Sequence, residues 1–417
     1  MPSTIPTLVI GAGQAGLAMS QALAERSIDH VLLERGVVAN SWRTERWDSL
    51  RLLTPNWMTR LPGFRYNGPD PDGYMRAAET ADFLQAYGSA IEAPVQCGVT
   101  VDRVDPVDGG GFHVATSEGE WHARSVVVAT GACSTPKIPA LADQLPARIQ
   151  QLAPIEYRNP EQLQAGRVLV VGASASGAQI ADELARAGRD VSIATGAHVR
   201  LPRTYRGMDI HWWMDTVGLL DERWTDVDDI NRVRRLPSLQ LVGSPEQRTL
   251  DLNALHANGV QICGRLAGVT HAALQFSGSL ANVIVSADLK LDRLLVELDR
   301  HASRQGLDGE LPEPYRPERT TVPDGPLALP VAEIGAVIWA TGFRAHHPAL
   351  PDHVKDPKGA LIHEGGVVAH PGLFAMGMPF QRRRKSTFLD GVGPDALELV
   401  DHVHAHLDST APRRALV

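Results

Sequence analysis

One pattern constrains this chain more than any other: an apolar run, a glycine-rich turn, a helix and a second apolar run, written twice. The first copy runs from Thr7-Leu-Val-Ile10 into Gly11-Ala-Gly13-Gln14-Ala15-Gly16. It continues through Leu17, Met19, Ala22 and Leu23 to Val31-Leu-Leu33 and Glu34. The second runs from Val168-Leu-Val-Val171 into Gly172-Ala-Ser174-Ala-Ser176-Gly177, then through Ile180, Leu184 and Ala187 to Val191-Ser-Ile193-Ala194 and Thr195. Each reads as strand, turn, helix, strand. In such a unit the first glycine permits a tight turn, the second lets backbone approach a diphosphate, and the third lets helix pack on strand. The free N–H groups and positive dipole end of the helix complete an anion seat. The expected fold class is therefore α/β, with two Rossmann-like dinucleotide-binding domains.

The copies differ at the end of their second strand. A carboxylate there accepts both ribose hydroxyls of an adenosine and would repel a 2′-phosphate. Glu34 therefore suits FAD or NAD in the first copy. Thr195 holds the same offset in the second, followed by His198, Arg200, Arg203 and Arg206. That copy suits NADPH, with Arg200 and Arg203 as expected phosphate contacts beside Gly172, Ser174, Ser176 and Gly177. A second echo brackets this unit. Val126-Val-Val-Ala129-Thr130-Gly131 and Val337-Ile-Trp-Ala340-Thr341-Gly342 both end apolar strands in Ala-Thr-Gly, where the chain could cross between domains. Proline-rich joints follow on either side. The expected organisation is a first FAD part over 1–160, an inserted NADPH domain over 161–330, and a second FAD part over 331–417.

Composition narrows the classes. Hydrophobic residues make up 43% and charged residues 21% of the 417, the balance of a globular chain with sizeable cores. A net charge of −8 offers no global basic field for nucleic acid. Cys97, Cys133 and Cys263 lie far apart, without ligand or dithiol spacing, so neither a metal site nor a redox disulfide is expected. No segment reads as an export signal or spanning helix, and a cytoplasmic, soluble protein is expected. The sequence leaves monomer and homodimer open.

Two fingerprints in this order, with the paired Ala-Thr-Gly strands, resemble the two-dinucleotide-domain flavoproteins. Asn40-Ser-Trp42-Arg43 through Thr54-Pro-Asn56-Trp-Met to Pro62 is similar to the region after the FAD acid in flavin-containing monooxygenases, particularly the YUCCA-type and CzcO-like groups. Pro371 to Gly377, then Gly391-Val-Gly-Pro-Asp395-Ala396, is similar to the same family's ending. The resemblance implies FAD contacts from Arg35, Trp42, Arg43, Val101, Thr130, Gly131, Leu389 and Asp395. It implies nicotinamide-cofactor contacts from Ala340, Thr341 and Gly342, and places Thr54 and Asn56 towards the flavin as candidate catalytic residues. The implied reaction passes a hydride from NADPH to FAD. A flavin C4a-(hydro)peroxide then carries one oxygen atom of O2 to a small organic substrate. At the positions of the family's Phe-x-Gly-x3-His-x3-Tyr/Trp signature stand Ala147, Ile149, Ala153 and Tyr157. The absent histidine keeps an oxidase or reductase without oxygenation open, and a flavin-binding redox sensor is a further alternative from another class. The basic run Arg382–Lys385 reads for most of its members as a solvated loop, with one arginine able to reach an anionic substrate or phosphate. His211-Trp212-Trp213-Met214 reads as helical packing rather than a substrate wall, although two adjacent tryptophans on a helix cannot both face one core.

Overall fold

The computed structural model describes residues 3–344 and 346–410. From the N-terminus the elements that matter are β1 (Ser3–Ile10), α1 (Gln14–Glu25), β2 (His30–Glu34), β3 (Val95–Cys97) and β4 (Gly119–Val128). Then follow β5 (Gln150–Leu152), β6 (Arg167–Val171), α2 (Ala175–Arg186), β7 (Val191–Ala194) and β8 (Gln261–Cys263). The chain closes with β9 (Ile334–Trp339), β10 (Leu373–Ala375) and α3 (Leu389–Ser409).

Two main sheets result. The first runs β3-β2-β1-β4-β10 in parallel, with an antiparallel hairpin over Val101–Pro106 and Phe112–Thr116 added at β4. The second runs β8-β7-β6-β9-β5, also parallel. Both put the glycine-turn strand at the centre with its partner strand beside it, the Rossmann order. Parallel strands covered on both faces need continuous apolar runs, which is why Leu8 and Val9 in β1 and Val168 to Val170 in β6 have no exposed surface. Helix α3 packs its Leu399 and Val403 into one core with Leu17 and Leu23 of α1, so the C-terminal segment completes the first unit.

The second sheet reaches past the limits read from sequence on both sides. Strand β5 precedes residue 161 and β9 follows residue 330, because both pair in the second sheet. The chain crosses between units just beyond the two Ala-Thr-Gly ends. There Thr135–Pro136 pairs antiparallel with Phe343–Arg344, tied further by the Lys137 N–H donating to the Gly342 carbonyl at 2.9 Å. The two crossings thus form one ribbon.

Candidate active site

The first glycine turn is built as its spacing demands. Gly11 holds φ +107°, and a Cβ there would lie 2.6 Å from the Ala129 carbonyl oxygen, a contact no side chain survives. A Cβ on Gly16 would collide with the Gly11 carbonyl. Gly13 is different: it has ordinary extended backbone, and its Cβ would meet nothing within 4 Å. Two glycines therefore serve packing, and the third leaves open space at the N-terminus of α1. Glu34, buried at the end of β2, accepts from the Ala12 N–H at 2.9 Å with one oxygen and from the Gly36 N–H at 3.0 Å with the other. The carboxylate is clamped beside the turn, with lone pairs left for a ribose. Val99 donates its N–H to the Glu34 carbonyl at 2.9 Å, which brings the chain leading into Val101 alongside the acid.

Gln14 joins three segments here. Its amide accepts from the Trp42 indole N–H at 3.0 Å and donates to the Thr387 carbonyl at 2.9 Å, so the starts of α1 and α3 converge. Arg46 stacks over the Trp42 ring at 5.2 Å. Ala15 lies beneath, against Gly377, and Leu389 packs into the core shared with α1.

The second turn repeats the device. Gly172 holds φ +112°, facing the Ala340 carbonyl as Gly11 faces Ala129, and Gly177 closes on Gly172. Ser174 takes nearly the same backbone angles as Gly13, φ −84° with ψ −169° against −171°. Its hydroxyl makes no capping bond to α2. Ser238 supplies a hydroxyl instead, 3.3 Å from the Ala175 N–H, while Gln240 donates to the Ala173 carbonyl at 2.5 Å. Nothing in the sequence around Ser238 or Gln240 points to this role. Thr195 follows β7 with its N–H on the Cys263 carbonyl at 3.0 Å, and its buried hydroxyl has no partner among the described residues. Such an orphaned group next to a glycine turn suits a ligand hydroxyl or phosphate. Both turns fit dinucleotides in the chemistry of their donors.

The comparisons agree with this geometry. The pyridine nucleotide-disulphide oxidoreductase family profile matches residues 8–209. A protein of Geobacillus kaustophilus described as an uncharacterized CzcO-like oxidoreductase is 31% identical over 412 residues, covering 97% of this chain and 100% of its own. Indole-3-pyruvate monooxygenase YUCCA6 of Arabidopsis thaliana is 30% identical over 417 residues, covering 95% of this chain and 89% of its own. The chain belongs to the flavin monooxygenase family. A flavin-containing monooxygenase from Stenotrophomonas maltophilia shares the fold, with a TM-score of 0.67 at 22% identity over 97% of this chain and 99% of that one. This flavin monooxygenase is accordingly an oxidoreductase that works with flavin and nicotinamide cofactors. Among its described residues, no helix is long and apolar enough to cross a membrane.

Several sequence-based site expectations need correction. Arg200 is buried and its guanidinium is taken up by protein groups, with Asp251 at 2.9 Å, Asp288 at 2.7 Å and the Glu318 carbonyl at 2.5 Å. Arg203 is fully buried as well. It binds Asp209 at 2.6 Å, the Leu53 carbonyl at 2.8 Å and His211 Nδ1 at 2.9 Å, and lies 4.8 Å over the Tyr74 ring. It is a strut between the two units, paired by an acid that lies behind the next turn. Burial alone would raise the Asp209 carboxyl, but the hydrogen bond with His211 and the Arg203 charge hold it at about 2. Burial lowers His211.

Asn56 is spent on structure. It donates to the Asp70 carbonyl and accepts from the Met75 N–H, both at 2.9 Å, and so pins the 70–75 loop. Thr54 is half-buried beside it. Arg43 pairs with Asp82 and Arg35 with Glu45. Asp395 is fully buried on Arg383. Thr130, Gly131, Thr341 and Gly342 do sit at the two strand ends, next to the crossing ribbon.

The basic run is no solvated loop. Arg382 and Arg383 bind Glu398, Arg384 binds Glu222, and Lys385 binds Asp390 at 3.0 Å and Asp221 at 3.1 Å. The run clips α3 to the inserted unit. Ala153, at the position of the histidine in the family signature, has no exposed surface.

Proposed function

We propose that the chain is an FAD-dependent monooxygenase that draws on NADPH and transfers one oxygen atom of O2 to a small organic substrate. The observation that carries the cofactor assignment is the difference between the two strand ends. Glu34, clamped by two backbone N–H groups, would accept the ribose hydroxyls of FAD, while the open space at Gly13 would seat its diphosphate. Thr195 places no carboxylate against a 2′-phosphate, and Ser174 and Ser176 would offer hydroxyls to the second diphosphate. Bound FAD supplies hydride acceptance and reaction with O2; the protein contributes binding, orientation and exclusion of water. Trp42 and Gln14 hold the approach to α1 fixed through the Thr387 carbonyl. Oxygenation of nitrogen or sulfur, hydroxylation, and oxidation of a carbonyl compound all fit this reading.

The test is extraction and identification of the bound flavin, followed by anaerobic mixing of the holoprotein with NADPH. FAD should be recovered, and its visible absorbance should bleach. A protein that takes up no FAD, or holds FMN, overturns the assignment.

A further inference from the structure

A cavity of about 480 Å³ opens where the Pro55–Asp72 stretch of the first unit meets Gly207–Trp212 of the inserted one. Its walls include Trp57, Trp212, Met208 and two prolines. The charged residues among its lining are acids, Asp72 and Asp209; among the described residues no lysine, arginine or histidine lines it. Asp209 is already neutralised by Arg203. Asp72 stands exposed at the rim, and its charge is felt by the Tyr74 hydroxyl behind it. The cavity therefore carries one uncompensated negative charge.

Its aromatic wall is rigidly mounted. Trp213, next to Trp212, is fully buried with its indole N–H on the Tyr205 carbonyl at 2.7 Å. Trp212 meets that ring edge-on, at 5.0 Å and 84°. Gln247, also lining the cavity, holds φ +49°, a conformation uncommon outside glycine and concentrated at ligand sites. Two tryptophans beside a single acid favour a cation whose charge is spread over alkyl groups, because little hydration is lost when it enters an apolar wall.

We propose that this cavity binds a small organic monocation with an alkylated ammonium group. The site does not depend on the redox reading. A quaternary nitrogen has no lone pair to oxygenate, so choline probes binding alone, and 3,3-dimethyl-1-butanol is its uncharged carbon counterpart.

Isothermal titration of both into FAD-loaded full-length protein tests the site. Choline should bind more tightly than the neutral counterpart by about five- to thirtyfold. Trp212→Leu and Asp72→Asn should each weaken choline by about two- to fivefold, with flavin content and thermal midpoint unchanged. Asp72 is exposed, so its variant keeps the test open even if Trp212→Leu folds poorly. Equal binding of the two probes, no saturable choline binding, or a wild-type choline affinity in Asp72→Asn overturns the proposal. Flavin content and NADPH-driven bleaching in the same preparation report separately on the redox reading.

Discussion

The three glycines of the first turn do two different jobs, and a pair of substitutions separates them. Gly13→Val puts a side chain into space that holds no protein atom within 4 Å of the new Cβ, on backbone at φ −84° that any residue adopts. Losing glycine at a helix N-cap costs up to about 1 kcal/mol. Reduced freedom of the unfolded chain returns about 0.4–1 kcal/mol, so the apoprotein should keep its stability within about 1 kcal/mol. FAD should suffer instead. A side chain standing between backbone and diphosphate removes at least one charge-assisted hydrogen bond, about 1.5–3 kcal/mol, or roughly 10- to 150-fold in Kd. Valine is chosen because Ser174 shows that the same backbone carries a small hydroxyl side chain.

Gly11→Ala should do the reverse. It forces alanine to φ +107° and against the Ala129 carbonyl at 2.6 Å, so the apoprotein itself loses stability, by about 1–3 kcal/mol from backbone strain alone. Thermal melts of both apoproteins and FAD titration followed by flavin fluorescence give the comparison. A Gly13→Val protein that binds FAD as wild type does would refute the assignment of that space to the diphosphate.

Arg203→Leu should destabilise the protein by about 3–5 kcal/mol in urea unfolding, because it strands the Asp209 carboxylate without its cation. Asp209 itself titrates at about 2 in the fold, below the usual carboxyl value. Its contribution is present above pH 4 and lost as pH falls towards 2, and Asp209→Asn should flatten that part of the acid unfolding curve. His347 and His363 are lowered to about 4, chiefly by burial, with neighbouring positive charge adding to it. They stay neutral in the fold and take up protons on unfolding, so stability should decline as pH drops from about 6.5 to 4. A flat profile there would contradict their burial. With Arg200 and Arg203 held by acids, the preference for NADPH over NADH should stay below about tenfold, roughly one ordinary hydrogen bond. A hundredfold ratio of kcat/KM would show that another cation reads the phosphate.

What the sequence shows well is whatever short-range spacing encodes. Gly11, Gly16 and Glu34, with Gly172 and Thr195 at the matching offset, sit where local turn chemistry requires them. The paired Ala-Thr-Gly ends lie against the first glycine of each turn, a packing relation visible as repetition. The arginines were illegible for a physical reason. Their partners lie at Asp251, Asp288 and Asp209, and spacing along the chain does not reveal which acids tertiary packing brings to a cation. The same holds for the basic run, whose acids come from α3 and from Asp221 and Glu222 in the inserted unit. The resemblance places Asn56 towards the flavin, yet the backbone of residues 70–75 uses both ends of its amide. Conversely, Trp212 and Trp213 did separate as helical geometry requires, one inward and one onto the cavity.

Oxygen transfer is the central claim, and isotopically labelled O2 tests it most directly. Holoprotein, NADPH and a panel of amines, sulfides and ketones would be incubated under the labelled gas, with products analysed by mass spectrometry. The account predicts one labelled oxygen atom in the product of at least one class, with NADPH consumed in step. NADPH oxidation that delivers every labelled oxygen to hydrogen peroxide or water, with no labelled product from any class, would contradict it and leave an oxidase in its place.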